Sequence, residues 1–140
     1  MPARQVFLDT NGWIALLNSS DSLHPAAEAI WQDLLSRSYT VVLTDWILAE
    51  TGNGLARTKA RTQFPSAVEV LRSSRRARLL DVSDELARRA LQLYASRPDK
   101  TWGLVDCASF VVMNDLGISE AFTTDGHFEQ AGLRCLLPVA

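Results

Sequence analysis

At 140 residues, with 47% hydrophobic residues and a net charge of −2, the chain can build one sizeable core over residues 1–140 and is neither a polycation nor an acidic tail. No apolar run approaches the ~18 residues of a membrane span, and the opening Met-Pro-Ala-Arg-Gln lacks the apolar segment of a secretion signal. Two cysteines, Cys107 and Cys135, both in apolar sequence, fit buried residues in a reducing cytoplasm and not a disulfide framework or a zinc site.

Residues 5–9 read as a short, continuously apolar strand of the kind buried on both faces of a parallel sheet. A short helix begins at Asn11 and breaks at Ser19-Ser20-Asp21-Ser22. An amphipathic helix follows from His24 to Arg37, with Pro25 in its first turn. Thr40 to Thr44 is a second apolar strand. Thr44 or Asp45 caps the next helix, which Gly52 and Gly54 are expected to loosen. A helix over 62–74 and a strand over 79–82 come next, then a helix opened by Ser83 and a loop at 97–101. Gly103 to Leu116 is a strongly apolar helix stopped at Gly117. A strand at 121–124, a short helix at 127–131 and a strand at 133–137 follow. Strands alternating with helices predict an α/β fold with a parallel sheet covered on both faces.

Four carboxylates stand out on this pattern. Asp9 and Asp125 lie at strand exits, where the binding crevice of a parallel sheet opens. Glu50 sits about a turn and a half into the helix after the second strand, and Asp106 interrupts the apolar run 104–112. A carboxylate among apolar residues is costly to bury unless it is paired or bound to a cation. No Lys or Arg stands beside these four, so a divalent-metal site is the reading they favour.

Charge is unevenly spread. From Arg57 to Lys100 basic residues outnumber acidic ones eleven to five, and the remainder of the chain is acidic. A phosphate backbone laid beside a metal pocket would suit this, with Arg72, Arg75, Arg76 and Arg78 as contacts; solvated helix faces are the alternative. His127 reads as a residue opening a short helix, with a capping role ahead of a phosphate contact. Of the four Trp, only Trp102, in a loop near Asp106, is a candidate for stacking on bases.

Phe7-Leu8-Asp9-Thr10-Asn11, Asp45 through Glu50-Thr51-Gly52-Asn53, Val105-Asp106-Cys107-Ala108-Ser109-Phe110 and Thr124-Asp125-Gly126-His127-Phe128 together resemble the PIN-domain family, most closely its VapC-type toxins. The resemblance runs from Val6 to Leu137. It implies a three-layer α/β/α domain with about five short, mainly parallel strands that hydrolyses RNA with Mg²⁺, or Mn²⁺ in its place. The family's acidic positions match Asp9, Glu50, Asp106 and Asp125. Asp9, Asp106 and Asp125 are the expected ligands, with Glu50 outer or on a second metal. Thr10, Asn11 and Ser109 are candidate supporting donors, each as well explained by a cap or turn role.

The resemblance further implies a small, DNA-binding antitoxin encoded alongside, whose C-terminal segment blocks the pocket, and a homodimer. Two alternatives are a PIN-type ribonuclease in RNA maturation without an antitoxin and a non-enzymatic Mg²⁺-binding signalling module. The second expects an acidic pair at the first strand's end and a Lys near the last, and neither is present.

Overall fold

Aliphatic and β-branched runs such as Val6-Phe7-Leu8 and Val41-Val42-Leu43 become strands because parallel pairing buries both of their faces; all six residues are at most 3% exposed. The computed structural model describes residues 4–139. In chain order these form β1 (Gln5–Leu8), α1 (Thr10–Leu17), α2 (His24–Ser36), β2 (Thr40–Thr44), α3 (Asp45–Leu55), a 3-10 turn (Lys59–Thr62), α4 (Phe64–Ser73), β3 (Ala77–Leu80), α5 (Asp84–Ser96), α6 (Leu104–Leu116), β4 (Glu120–Phe122), α7 (His127–Gln130) and β5 (Arg134–Cys135). Every strand pairing is parallel, in the order β3-β2-β1-β4-β5, as the alternation of elements predicts.

That order reverses between β1 and β4. Parallel crossovers are right-handed, so the helices linking β1 to β3 cover one face and those linking β3 to β4 cover the other. The packing agrees: α1 lies against α2 and α3, and α5 lies against α6, which meets α7. Phe122 of β4 meets Trp31 of α2 edge-on on the first face. On the second, Phe7 of β1 meets Phe128, which in turn takes Phe110 edge-on.

Two local expectations change and one choice between residues is resolved. β3 starts at Ala77 and ends at Leu80, two residues earlier than the apolar run suggests, because pairing with Val41–Thr44 sets its register. α3 runs unbroken through Gly52 and Gly54, which lie close against Phe64 and against Ile14 of α1. Thr44, not Asp45, caps α3 by accepting the Ile47 N–H, while Asp45 Oδ1 accepts the Val82 N–H at 2.9 Å and ties down the exit of β3. No helix among the described residues is long and apolar enough to cross a membrane.

Candidate active site

The strand order puts the exits of β1 and β4 side by side, at the reversal where open parallel sheets bind ligands. Asp9 leaves β1 with its N–H on the Phe122 carbonyl at 3.3 Å, and α1 starts at the next residue. Gly12 permits this. A Cβ there would collide with the Phe122 carbonyl oxygen, so α1 can begin against β4 only because the position is glycine. The Asp9 side chain is 3% exposed and accepts a 2.7 Å hydrogen bond from the Thr123 hydroxyl. Thr123, fully buried, also accepts the Asp125 N–H through the same oxygen at 3.0 Å.

Asp125 and Asp106 meet at His127. Asp106 lies in the first turn of α6, where its Oδ2 accepts the Gly103 N–H at 3.1 Å as a helix-capping carboxylate does. The same oxygen lies 3.0 Å from His127 Nδ1. Asp125 Oδ1 accepts the His127 N–H at 2.9 Å and lies 3.4 Å from Nδ1. One donor atom from each of Asp106, Asp125 and His127 falls within 4.8 Å of the others. His127 Nε2 faces the Thr101 hydroxyl at 3.1 Å, so the imidazole spans from the loop before α6 to the carboxylates and does not cap its helix.

Glu50 reaches the rim from the side. α1 and α3 lie next to one another, with Glu50 beside Thr10 and Gly54 beside Ile14. Thr10 Oγ1 donates to Glu50 Oε1 at 2.6 Å, and the Thr10 amide neighbours the Asp9 carboxylate, so Thr10 stands between the two acids.

The electrostatics follow from crowding without compensation. Burial pushes the Asp9 carboxyl from 3.8 to about 7; hydrogen bonding by Thr123 and Thr10 opposes the rise, and the charges of Asp106 and Asp125 add to it. Burial also raises Asp106, against the Gly103 N–H and His127, with Asp125 adding to the rise. Among the described residues no Lys or Arg pairs with Asp9, Glu50, Asp106 or Asp125; His127 is the basic group at hand. Carboxylate oxygens gathered without a Lys or Arg partner are a donor set that suits a hard divalent cation, so the residues fit a metal.

The remaining candidates sit elsewhere. Ser109 is buried and gives its hydroxyl to the Val105 carbonyl of its own helix. Asn11 is exposed in the first turn of α1. Arg75 and Arg76 precede β3 at the amino end of the sheet, the end opposite the acidic rim. Arg72 lies in the last turn of α4 just before them, and Arg78 lies on the edge strand. Arg76 also donates to the Leu35 carbonyl. Trp102 is buried edge-on against Phe110 with its N–H on Gln130, so its face is not free for a base. Thr123 is the site residue that the chain order conceals; His127 is read from the sequence as a helix-opening residue, and its place against two carboxylates depends on the fold.

Comparison with known proteins agrees with this geometry. The PIN domain matches residues 6–133. The 23S rRNA-specific endonuclease VapC20 of Mycobacterium tuberculosis is 31% identical over 127 residues, covering 91% of this chain and 94% of that protein. The crystal structure of VapC20, described as a sarcin-ricin loop cleaving toxin, superposes with a TM-score of 0.84 at 29% identity, over 95% of this chain and 99% of that one. VapBC2 from Rickettsia felis, solved bound to a DNA fragment from their promoter, shares the fold at a TM-score of 0.66 and 19% identity, over 94% and 96% of the two chains. With its acidic motifs in order on a parallel sheet of this topology, and with this extent of similarity, the chain belongs to the PIN domain family.

Proposed function

We propose that this chain, as a single nuclease domain, is a divalent-metal-dependent endoribonuclease and the toxin of a toxin–antitoxin pair. The observation that carries the reading is the gathering of Asp9, Asp106 and Asp125 at the β1/β4 reversal with no Lys or Arg to offset them. Similarity to VapC20 over nine-tenths of the chain supports RNA as substrate, and a loop of 23S ribosomal RNA as the first one to test.

Asp106 and Asp125 would hold the ion, Mg²⁺ or in its place Mn²⁺, with Asp9 as the third carboxylate and Glu50 at the outer edge. Bound there, such an ion supplies Lewis acidity and a water of lowered pKa for in-line attack at phosphorus. The protein's own part is orientation. Thr123 fixes the Asp9 carboxylate and the Asp125 backbone together, and Thr10 steers Glu50 towards the rim. The buried floor of Phe7, Leu8 and Phe122 keeps bulk water from behind the carboxylates, which strengthens each charge interaction in front of them.

A partner would quench the acidic rim with a basic side chain and cover apolar surface beside it. Leu91, Tyr94 and Leu104, between 38% and 56% exposed, flank a groove that includes Thr101 and Gly103. A small antitoxin and a second copy of the chain are the proposed occupants of exposed surface of this kind.

The test is expression of the chain alone and with its neighbouring reading frame, followed by mapping of 23S rRNA ends. Growth arrest with a new RNA end, abolished by Asp9→Asn, Asp106→Asn or Asp125→Asn and relieved by the neighbour, is the expected result. Parental cleavage by the Asp9→Asn variant would overturn the site. Full nuclease activity without growth arrest would leave a ribonuclease of RNA maturation.

A further inference from the structure

His127 has no task in an all-carboxylate site, yet its ring lies closest to two of the carboxylates. Nδ1 is 3.0 Å from Asp106 Oδ2 and 3.4 Å from Asp125 Oδ1, and the three donor atoms fit within the span of one coordination sphere. The ring is held there from three sides. Its backbone N–H is fixed on Asp125 Oδ1, the next residue, Phe128, is fully buried between Phe7 and Phe110, and Nε2 faces the Thr101 hydroxyl at 3.1 Å.

Thr101 belongs to none of the acidic motifs, and its contact is the independent observation. A metal-bound imidazole almost always gives its other N–H to an oxygen, which fixes tautomer and ring orientation. A threonine hydroxyl both donates and accepts. Nδ1 faces Asp106 and Nε2 faces the Thr101 hydroxyl, which can serve the ring either as donor or as acceptor. With Nδ1 on a cation, the ring carries its N–H on Nε2, and the Thr101 hydroxyl accepts it without the ring moving.

We propose that His127 Nδ1 is a direct ligand of the cation held by Asp106 and Asp125, oriented through Nε2 by Thr101, and that this nitrogen biases the site towards Mn²⁺ over Mg²⁺. This rests on the acidic rim being a metal centre, but not on RNA being its substrate. Imidazole suits the divalent first-row metals, whereas Mg²⁺ keeps to oxygen and water. An oxygen-only set would favour Mn²⁺ less.

The test uses the whole protein without RNA, titrated with Mn²⁺ or Mg²⁺ alone. Pulsed electron paramagnetic resonance of bound Mn²⁺ should show coupling to a directly bound nitrogen, lost in His127→Ala. Mn²⁺ affinity should fall at least tenfold in that variant and Mg²⁺ affinity less than threefold, so that the preference shrinks. Thr101→Ala should weaken Mn²⁺ about tenfold with the nitrogen signal retained, and Thr101→Ser should restore it. Thr101→Ala touches no carboxylate and stands in if His127→Ala fails to fold. Absence of nitrogen coupling in the parent, equal losses for the two metals, or tighter Mn²⁺ binding in His127→Ala would each overturn the proposal; in the last case the ring merely fills the place of the cation. Failure of the nuclease reading is separate: nitrogen-coupled Mn²⁺ with no RNA cleavage would leave this ligand intact and remove the substrate.

Discussion

Thr123 donates its hydroxyl to Asp9 at 2.7 Å across the β1/β4 boundary, joining residues 114 apart in the chain. One oxygen thereby orients a buried carboxylate and, by accepting the Asp125 N–H, the loop that carries a second one. Thr123→Val should keep the volume and lose both bonds. Leaving a buried carboxylate oxygen and an amide unsatisfied costs about 1–3 kcal/mol, and disturbing a supporting bond at a metal site costs 10–100-fold in affinity or activity. Thr123→Ser should recover most of both. Melting temperature and kcat/KM measured together check this; equal activity in the Val variant would refute it.

The stability of the metal-free protein should fall as pH rises. The Asp9 carboxyl titrates near 7 in the folded state and near 3.8 when unfolded, so between those values the folded chain holds the proton and the unfolded chain does not. The stabilisation this group provides is therefore fully present below about 3.8 and is lost as pH climbs to about 7. Across that interval the loss amounts to at most about 4 kcal/mol, at ~1.4 kcal/mol per pH unit. Urea denaturation in a chelator at several pH values should show this dependence in the parent and its removal in Asp9→Asn. Saturating Mn²⁺ should reverse it, because binding to carboxylates displaces protons.

Gly12→Ala should damage the site without touching any charge. The added methyl would strike the Phe122 carbonyl, so α1 must withdraw from β4 and take Asp9 with it. Overpacking of this kind costs about 1–3 kcal/mol, and displacement of a positioned group by about 1 Å can cost 10²-fold in rate. A drop in melting temperature accompanied by loss of cleavage is expected. A drop without loss of cleavage would show that Asp9 does not depend on that close approach.

Replacing Arg75 and Arg76 with Ser should separate RNAs by size. Both lie at the amino end of the sheet, about 15 Å from the rim on a rise of 3.3 Å per strand residue. A short single-stranded RNA seated on the carboxylates would not reach them, so its affinity and salt dependence should be unchanged. A folded RNA that extends past the sheet should lose roughly 0.7 to 0.9 of log–log salt slope per lost contact. Unchanged slopes for both RNAs would return these arginines to the solvent.

Much of this architecture is written locally. Continuous apolar runs at 5–8 and 40–44 specify buried parallel strands, and an aspartate that follows such a run stands at the carboxyl end of the sheet. Hence Asp9 and Asp125 are visible in the sequence, although Asp45 follows a run of the same kind and binds Val82 instead. What is not visible depends on partners distant in the chain. β3 takes its register from β2, not from its own apolar residues. Gly52 and Gly54 look like helix breakers until Phe64 and Ile14 are seen against them. Thr123 reads as the tail of a strand, and only the adjacency of β1 and β4 turns its hydroxyl to Asp9. His127 sits beside Asp125, but the partner that orients it, Thr101, belongs to a loop 26 residues earlier.

The position of β4 at the middle of the sheet's reversal, though late in the chain, has a consequence for biosynthesis. Domains fold as the chain emerges from its amino terminus. β1, β2 and β3 can pair early, but Asp9 finds its hydrogen-bond partner only after residue 123 has emerged, and its acidic neighbour only after residue 125. Until then one side of β1 has no strand beside it, and the nascent chain carries Asp9 without Asp125. A site built this way would stay incomplete until Asp125, the last of its carboxylates to be made, has joined Asp9 and Asp106.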